Sequence, residues 1–263
     1  MTSRIHASAI IEDGAKIGED VEIGPWCHVG RDAVIGNRVK MIGSTTVLGH
    51  TEIGDDCLIY PYVVLGGPPQ DFKYKGEKTH LRIGPRNILR EHVTMHAGTG
   101  VGRGETRVGS DGFFMVGVHI AHDCIVGDKV TMANNATLGG HSTVGDFAVI
   151  GGLSGVHQQT RVGRHAFIGG ITAVVEDIIP YALAHGSHAR LDGLNVIGLK
   201  RRGFSRETIH GMRAAYRTLF HGEGVFAERV VEVANLYADN EPVMEIIDFI
   251  RGDSRRSLCH PDD

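Results

Sequence analysis

An apolar residue recurs at every sixth position of this chain, and few folds tolerate that period. The run goes from Ile5 through Ile11, Ile17 and Ile23 to Leu65, and again from Val108 through Phe114, Ile120, Val126 and Met132 to Val174. Helix and strand side chains repeat at about 3.6 and 2.0 residues, so neither element alone explains the pattern. A period of six, often followed by glycine as in Val126-Gly127, Val144-Gly145 and Ile150-Gly151, belongs to hexapeptide solenoids, in which each repeat is one short strand and a turn. One repeat cannot bury its aliphatic side chain by itself. Three repeats closing a coil of about 18 residues, stacked on further coils, form a continuous aliphatic core. The expected architecture is an all-β solenoid, a parallel β-helix. The spacing leaves its hand open; known hexapeptide solenoids coil left-handed, against the usual right-handed crossover.

Two stretches interrupt the repeat. Residues 66–80 (GGPPQDFKYKGEKTH) and residues 98–107 (GTGVGRGETR) are polar and rich in turn formers, and read as loops thrown out from the coil. Between them Ile83, Leu89 and Met95 keep the old phase; after the second the phase has moved by one residue. Such insertions are tolerated because a coil contacts mainly its neighbours, and they gather on the binding side. Periodicity ends after Val174, near Pro180. From Ser205 onward Ile209, Met212, Tyr216, Leu219 and Phe220 follow helical spacing, as do Phe226, Val230, Val233 and Tyr237, and Pro242 opens a third segment that Gly252 ends. The expected division is a β-helix over residues 1–190 and an α-helical domain over 191–263. Three short helices make a marginal core, so they are expected to pack on the solenoid or on other subunits.

Composition narrows the function classes. A formal net charge of -4 argues against a general nucleic-acid binder. The four cysteines, Cys27, Cys57, Cys124 and Cys259, are widely spaced with no C-x-x-C pair, which points away from a zinc cage or a disulfide framework and toward a reducing compartment. No signal-peptide layout opens the chain and no long apolar run crosses it, so a cytoplasmic protein without a transmembrane segment is expected. The 37 glycines and 6% aromatics suit tight corners around a narrow aliphatic core.

An 18-residue coil places residues 18 apart side by side. His122, Gly140 and Gln158 then form one column, Asp123, His141 and Gln159 the next, and His119 stands with Thr137 and Gly155. A histidine beside a carboxylate is a general base with its orienting partner. A glycine in the adjoining coil lets a substrate approach a backbone N–H, the kind of donor that stabilises an oxyanion. Other readings exist for each. Most of the 16 histidines must be surface or structural residues, Gly140 can be a corner glycine and Asp123 a turn cap. A three-histidine zinc site, as in hexapeptide-fold hydratases, is the competing chemistry, but the three-residue spacing of His119 and His122 does not match it.

Taken together, the segments Gln70-Asp-Phe-Lys-Tyr, His119-Ile-Ala-His-Asp-Cys, Ala133-Asn-Asn-Ala-Thr-Leu, Gly140-His, Val156-His-Gln and Gly198-Leu-Lys-Arg-Arg-Gly-Phe-Ser-Arg resemble the UDP-N-acetylglucosamine O-acyltransferases that begin lipid A synthesis. The resemblance runs through about residue 220. It implies a left-handed β-helix and transfer of a 3-hydroxyacyl group from acyl carrier protein to the sugar 3-hydroxyl, without an acyl-enzyme, cofactor or metal. His122 would be the base, Asp123 its orienting group and Gly140 the oxyanion donor. Gln70, Asp71, Lys73, His96, His119, His141, His157 and Gln158 match positions lining the sugar and acyl cleft; Asn195, Arg201 and Arg202 match the nucleotide-contacting segment. Gly170 matches the acyl-length ruler, and its small size implies a chain longer than ten carbons. The basic run Lys200-Arg201-Arg202 with Arg206 suits an acidic carrier protein. Two departures stand out: Ile197 replaces a polar residue, and the first loop reads Gly-Gly-Pro-Pro-Gln-Asp, which leaves a 3-amino sugar as an alternative acceptor.

The rival readings are separable. An N-acyltransferase acting later in the pathway carries an extra N-terminal domain, whereas here the repeats start at Ile5. A zinc hydratase would hold metal, and a scaffold would tolerate loss of His122. The resemblance also implies a homotrimer, in which substrate clefts would lie between neighbouring prisms.

Overall fold

The computed structural model describes residues 3–262. Most of the 28 strands are only two residues long, and the hexad residue is the second of the pair, as in His119–Ile120 and Thr137–Leu138. Every third strand pairs in parallel, which gives three sheets of 11, nine and eight strands. We call these faces A, B and C in the order the chain visits them. Together they form a left-handed parallel β-helix of triangular section. Ile23, Ile59, Met95, Ile120, Met132 and Ile150 point inward and are buried to within 2%. Each such side chain contributes about 1.5–3 kcal/mol relative to exposure.

The core has a second inward position, two residues before each hexad residue, which the six-residue spacing did not reveal. Val21, Cys27, Ala33, Cys57, Cys124, Ala136 and Ser142 occupy it, all buried. Mostly small side chains stand there, because the larger hexad residue already fills the axis; Leu81 and Asn87 are larger exceptions. Cys124 is thus a core residue. Three places after most hexad residues the chain turns with a residue in the left-handed region, among them Asp123 (φ 59), His141 (φ 62) and Gln159 (φ 64). These three stack on the edge between faces B and C.

Strand pairing reaches further into the insertions than composition suggested. Val64–Gly67 and His80–Ile83 are strands, as is Glu105–Val108, so the projecting loops are 68–79 and 97–104. Pairing also outlasts the periodicity: Ala182–His185 extends face A in parallel and Arg190–Leu194 closes it antiparallel. Four helices follow, not three: α1 (Val196–Arg201), α2 (Arg206–His221), α3 (Phe226–Leu236) and α4 (Glu241–Arg251). The extra one, α1, has six residues and buries only Leu199, too little for a period to show. Ser205 caps α2 through Thr208 N at 3.0 Å, and Asn240 caps α4. The apolar sides of α2 to α4 join the solenoid core. Residues after α4 run back along the solenoid, where Cys259 N donates to Asp177 O at 2.9 Å.

Candidate active site

The edge between faces B and C brings the predicted base and its partner together. His122 Nδ1 lies 2.8 Å from Asp123 Oδ2. Asp123 is fully buried. Burial alone would push its pKa up, but hydrogen bonds from His122, from Thr99 and from the Arg103 amide outweigh that and hold it below the usual carboxylate range. An ionised Asp123 accepts the Nδ1 proton, which leaves the Nε2 lone pair of His122 free to take one.

Gly140, one coil on, stands against that Nε2. A Cβ built on Gly140 would fall 2.6 Å from both Cε1 and Nε2 of His122, so only glycine leaves the ring its place. The Gly140 N–H has no acceptor among the described residues. Two places after a hexad residue the amide lies outside the strand ladder: prolines Pro25, Pro61 and Pro85 occupy that position in some coils, and in others, as at Asn37, Ser110 and Asp128, the N–H donates to an aspartate one coil on. At Gly140 the uncommitted amide belongs to a residue packed against the His122 ring. The predicted proton acceptor and predicted oxyanion donor are thus neighbours on successive coils.

The surrounding histidines are neutral. Burial, with help from His119 and His122, pushes His96 down to about 4; burial likewise lowers His119 and His141. His119 Nδ1 pairs with Thr94 Oγ1 at 2.7 Å, and the His122 and His141 rings meet edge to face at 5.1 Å. Uncharged imidazoles suit hydrogen bonding to a hydroxylated ligand. Acyl-enzyme chemistry finds no nucleophile: burial pushes Cys124 up to about 12, and the Ser142 hydroxyl is spent on Gly139 O at 2.6 Å.

His122, Asp123 and His141 also have the composition of a metal-binding group. The donor set does not fit a cation. Both Asp123 oxygens already accept hydrogen bonds: Oδ1 from Thr99 N (3.2 Å) and Arg103 N (2.7 Å), Oδ2 from Thr99 N (3.1 Å), Thr99 Oγ1 (2.7 Å) and His122. A ligand carboxylate needs a free lone pair toward the ion.

A cleft of about 760 Å³ opens beside this pair, lined by Asp71, Lys73, Arg103, His141, Gln159 and Arg255 among others. Asp71 and Lys73 come from the first loop; Gln70 is exposed in the same loop but does not line the cleft. His157 and Gln158 stand one coil further along the edge, held from the chain's C-terminal segment. Arg256 Nη2 lies 2.6 Å from His157 Nδ1, and Arg256 Nε donates to Gln158 O at 3.1 Å. An arginine can only donate, so in the contact with Arg256 His157 Nδ1 is the acceptor, although Nδ1 also lies 3.2 Å from Gln158 O.

The remaining predicted residues lie elsewhere on the same chain. Asn195 caps α1 at Gly198 N (3.0 Å) and donates to His165 O (3.0 Å), while Arg202 donates to Phe147 O (2.9 Å). Phe147 and His165 are corner residues between faces C and A, so Asn195, Arg201 and Arg202 occupy the opposite edge of face C from His122. Gly170 is on the third edge, between A and B, beside Gly152. Sequence reasoning missed Thr99, Arg103 and Thr106 around Asp123, and Arg255 and Arg256 from the tail. The one available signal was the phase slip, which marks the insertion that reaches the corner of His122 and Asp123.

A solenoid of hexapeptide repeats with a histidine–carboxylate pair facing a spare glycine amide defines an acyltransferase-type site. Comparisons agree. A family model described as UDP N-acetylglucosamine O-acyltransferase, domain 2, matches residues 177–259. The chain is 54% identical over 258 residues to the acyl-[acyl-carrier-protein]–UDP-N-acetylglucosamine O-acyltransferase of Caulobacter vibrioides, covering 98% of each. It is 45% identical over 260 residues to that of Rhizobium johnstonii, covering 99% of this chain and 96% of the relative. The solved Francisella novicida UDP-N-acetylglucosamine acyltransferase superposes with a TM-score of 0.94 at 34% identity, over 97% of this chain and 93% of that one. The chain belongs to the UDP-N-acetylglucosamine O-acyltransferase family. No helix among the described residues is long and apolar enough to cross a membrane.

Proposed function

We propose that this chain transfers a 3-hydroxyacyl group from acyl carrier protein to the 3-hydroxyl of UDP-N-acetylglucosamine, the first step of lipid A biosynthesis, as a cytoplasmic homotrimer. The observation that carries the reading is His122, tied through Nδ1 to ionised Asp123 and facing Gly140 with Nε2. Nε2 takes the proton of the sugar 3-hydroxyl as its oxygen attacks the thioester carbonyl carbon. Negative charge develops on the carbonyl oxygen, where the Gly140 N–H donates. The C–S bond then breaks, and the imidazolium returns the proton to the departing thiolate of the carrier's arm. The acyl group arrives already activated, so the step needs no cofactor. General-base help of this kind supplies roughly 10²–10⁴-fold.

In this reading Asp71, Lys73, His141 and Gln158 hold the sugar, neutral His96 and His119 line the path of the acyl chain, and Gly170 ends that path. Exposed Lys200 and Arg201 offer charge to the carrier protein. Asn195 and Arg202 hold the nucleotide for the site of a neighbouring subunit. The test is to incubate the purified protein with UDP-N-acetylglucosamine and a series of 3-hydroxyacyl carrier proteins, beside His122→Ala. Acylated sugar nucleotide from wild type, and at least about 10²-fold less from the variant, is the expected result. No product from wild type would sink the reading, and use of only a 3-amino acceptor would correct it.

A further inference from the structure

We propose that Arg103 is a positioning residue for this reaction: it locks the coil carrying His122 and Asp123 to the coil carrying Gly140. The inference rests on the function proposed above. On this edge the backbone ladder runs from the N–H of each corner residue to the residue before the corner below: His141 N to His122 O at 3.0 Å, Gln159 N to Gly140 O at 2.9 Å. The carbonyls of Asp123 and His141 are therefore left without a backbone partner among the described residues. Arg103 fills that gap. Its Nη1 donates to the Asp123 carbonyl and lies 3.5 Å from the His141 carbonyl, so one nitrogen faces two successive coils.

The same residue holds Asp123 from a second side, through its amide to Oδ1 at 2.7 Å. Thr99 donates to the carboxylate, and Thr106 Oγ1 accepts the Asp123 N–H at 2.8 Å. Every polar atom of Asp123 is thus bonded within residues 99–106 or to His122. The approach is close enough that a Cβ on Gly102 would stand 2.5 Å from the carboxylate. The insertion that shifts the repeat phase is built around the catalytic carboxylate. Its exposed guanidinium adds little to global stability, as surface charges generally do. Register between the two coils is another matter, because base and oxyanion donor are packed so tightly that a displacement near 1 Å can cost about 10²-fold in rate.

Arg103→Gly keeps the loop amide and removes the whole side chain, whereas Arg103→Met keeps an apolar stem and removes the guanidinium. For both we expect kcat to fall by about 10²-fold, with KM for the sugar nucleotide within about threefold and the melting temperature within a few degrees. Guanidinium ion added at tens of millimolar should restore at least about tenfold of the rate to Arg103→Gly, by refilling the vacated position. A rise in KM at unchanged kcat would make Arg103 a substrate contact and overturn the proposal; so would wild-type kinetics, or a rate loss that guanidinium cannot recover. If Arg103→Gly does not fold, Arg103→Met decides through the same kcat-against-KM split. Should wild type itself fail to turn over, the functional reading falls separately. The Arg103 contact is then judged by the Nδ1–H proton resonance of His122, which must shift in the variants if Arg103 sets the pair's geometry.

Discussion

Replacing Gly140 by alanine adds one carbon where the His122 ring already stands. The new Cβ would lie 2.6 Å from both Cε1 and Nε2 of that ring, whereas carbon contacts settle at about 3.5–4.0 Å. Something must therefore give by about 1 Å. The carboxylate behind the ring cannot, since Asp123 is fully buried and held by Thr99 and Arg103. Gly140 itself is in the coil ladder through its carbonyl. The ring must turn away, losing the 2.8 Å Nδ1 contact or its aim at the substrate hydroxyl. A misplacement of this size costs about 10²-fold in kcat. Stability should change little, because the Gly140 backbone does not lie in the left-handed region. Gly155→Ala is the control: it is in the next coil, and its added Cβ meets nothing within 4 Å. Steady-state kinetics with one acyl carrier protein, run beside thermal melts, decide the matter. If Gly140→Ala keeps more than half of wild-type kcat, the close packing of base and oxyanion donor has no catalytic role.

Two further outcomes follow from other edges of the prism. Gly170→Met places a Cβ 3.3 Å from Gly152 O with otherwise open space, so it should fold normally and move the preferred acyl chain several carbons shorter; an unchanged profile across a carrier-protein series would remove Gly170 as the ruler. His165, stacked between Phe147 and Tyr181 at 4.6 and 5.3 Å, is pushed by burial down to about 4. Its folded pKa lies below the unfolded value near 6.5, so the unfolded chain takes up a proton that the folded one refuses, and stability falls as pH drops from about 6.5 toward 4. At pH 5 this amounts to about 2 kcal/mol. His165→Phe should therefore melt with a flatter dependence on pH across that window, and equal slopes for variant and wild type would count against the buried neutral imidazole.

The sequence spoke clearly where a residue's role repeats. Ile120, Leu138 and Val156 announce the coil because each coil must bury the same kind of side chain at the same place, and the eighteen-residue step then sets His122 beside Gly140. Residues that act once were silent. Thr99 and Arg103 reach Asp123 across 24 and 20 residues of chain from an aperiodic loop, and Arg256 meets His157 across 99. No period or motif connects such pairs. The small inward residues such as Cys27 and Ala136 were hidden for a different reason: Val, Cys, Ala, Ser and Thr all fit that position, so no single letter recurs. Helix α1 hid because its six residues owe their shape to the Asn195 cap and not to an apolar stripe.

His122 and Asp123 stand between faces B and C, whereas Asn195 and Arg202 stand between C and A, at Phe147 and His165. In the proposed homotrimer a ligand held by both sets bridges two prisms, and in such a three-fold ring each site takes one edge from each of two neighbours. Trimers of His122→Ala alone, or of Arg202→Ala alone, then have every site damaged. Mixed trimers differ: going round the ring, one site always pairs an intact His122 edge with an intact Arg202 edge. Random assembly at equal amounts makes about three-quarters of trimers mixed, each with about one sound site in three, so turnover should recover to about a quarter of wild type. Co-expression with two affinity tags, or unfolding and refolding the two variants together, provides the sample. Activity that stays at the level of the separate variants, in trimers proven to be mixed, would mean that both sets serve a site within one chain or that Arg202 holds no part of the ligand.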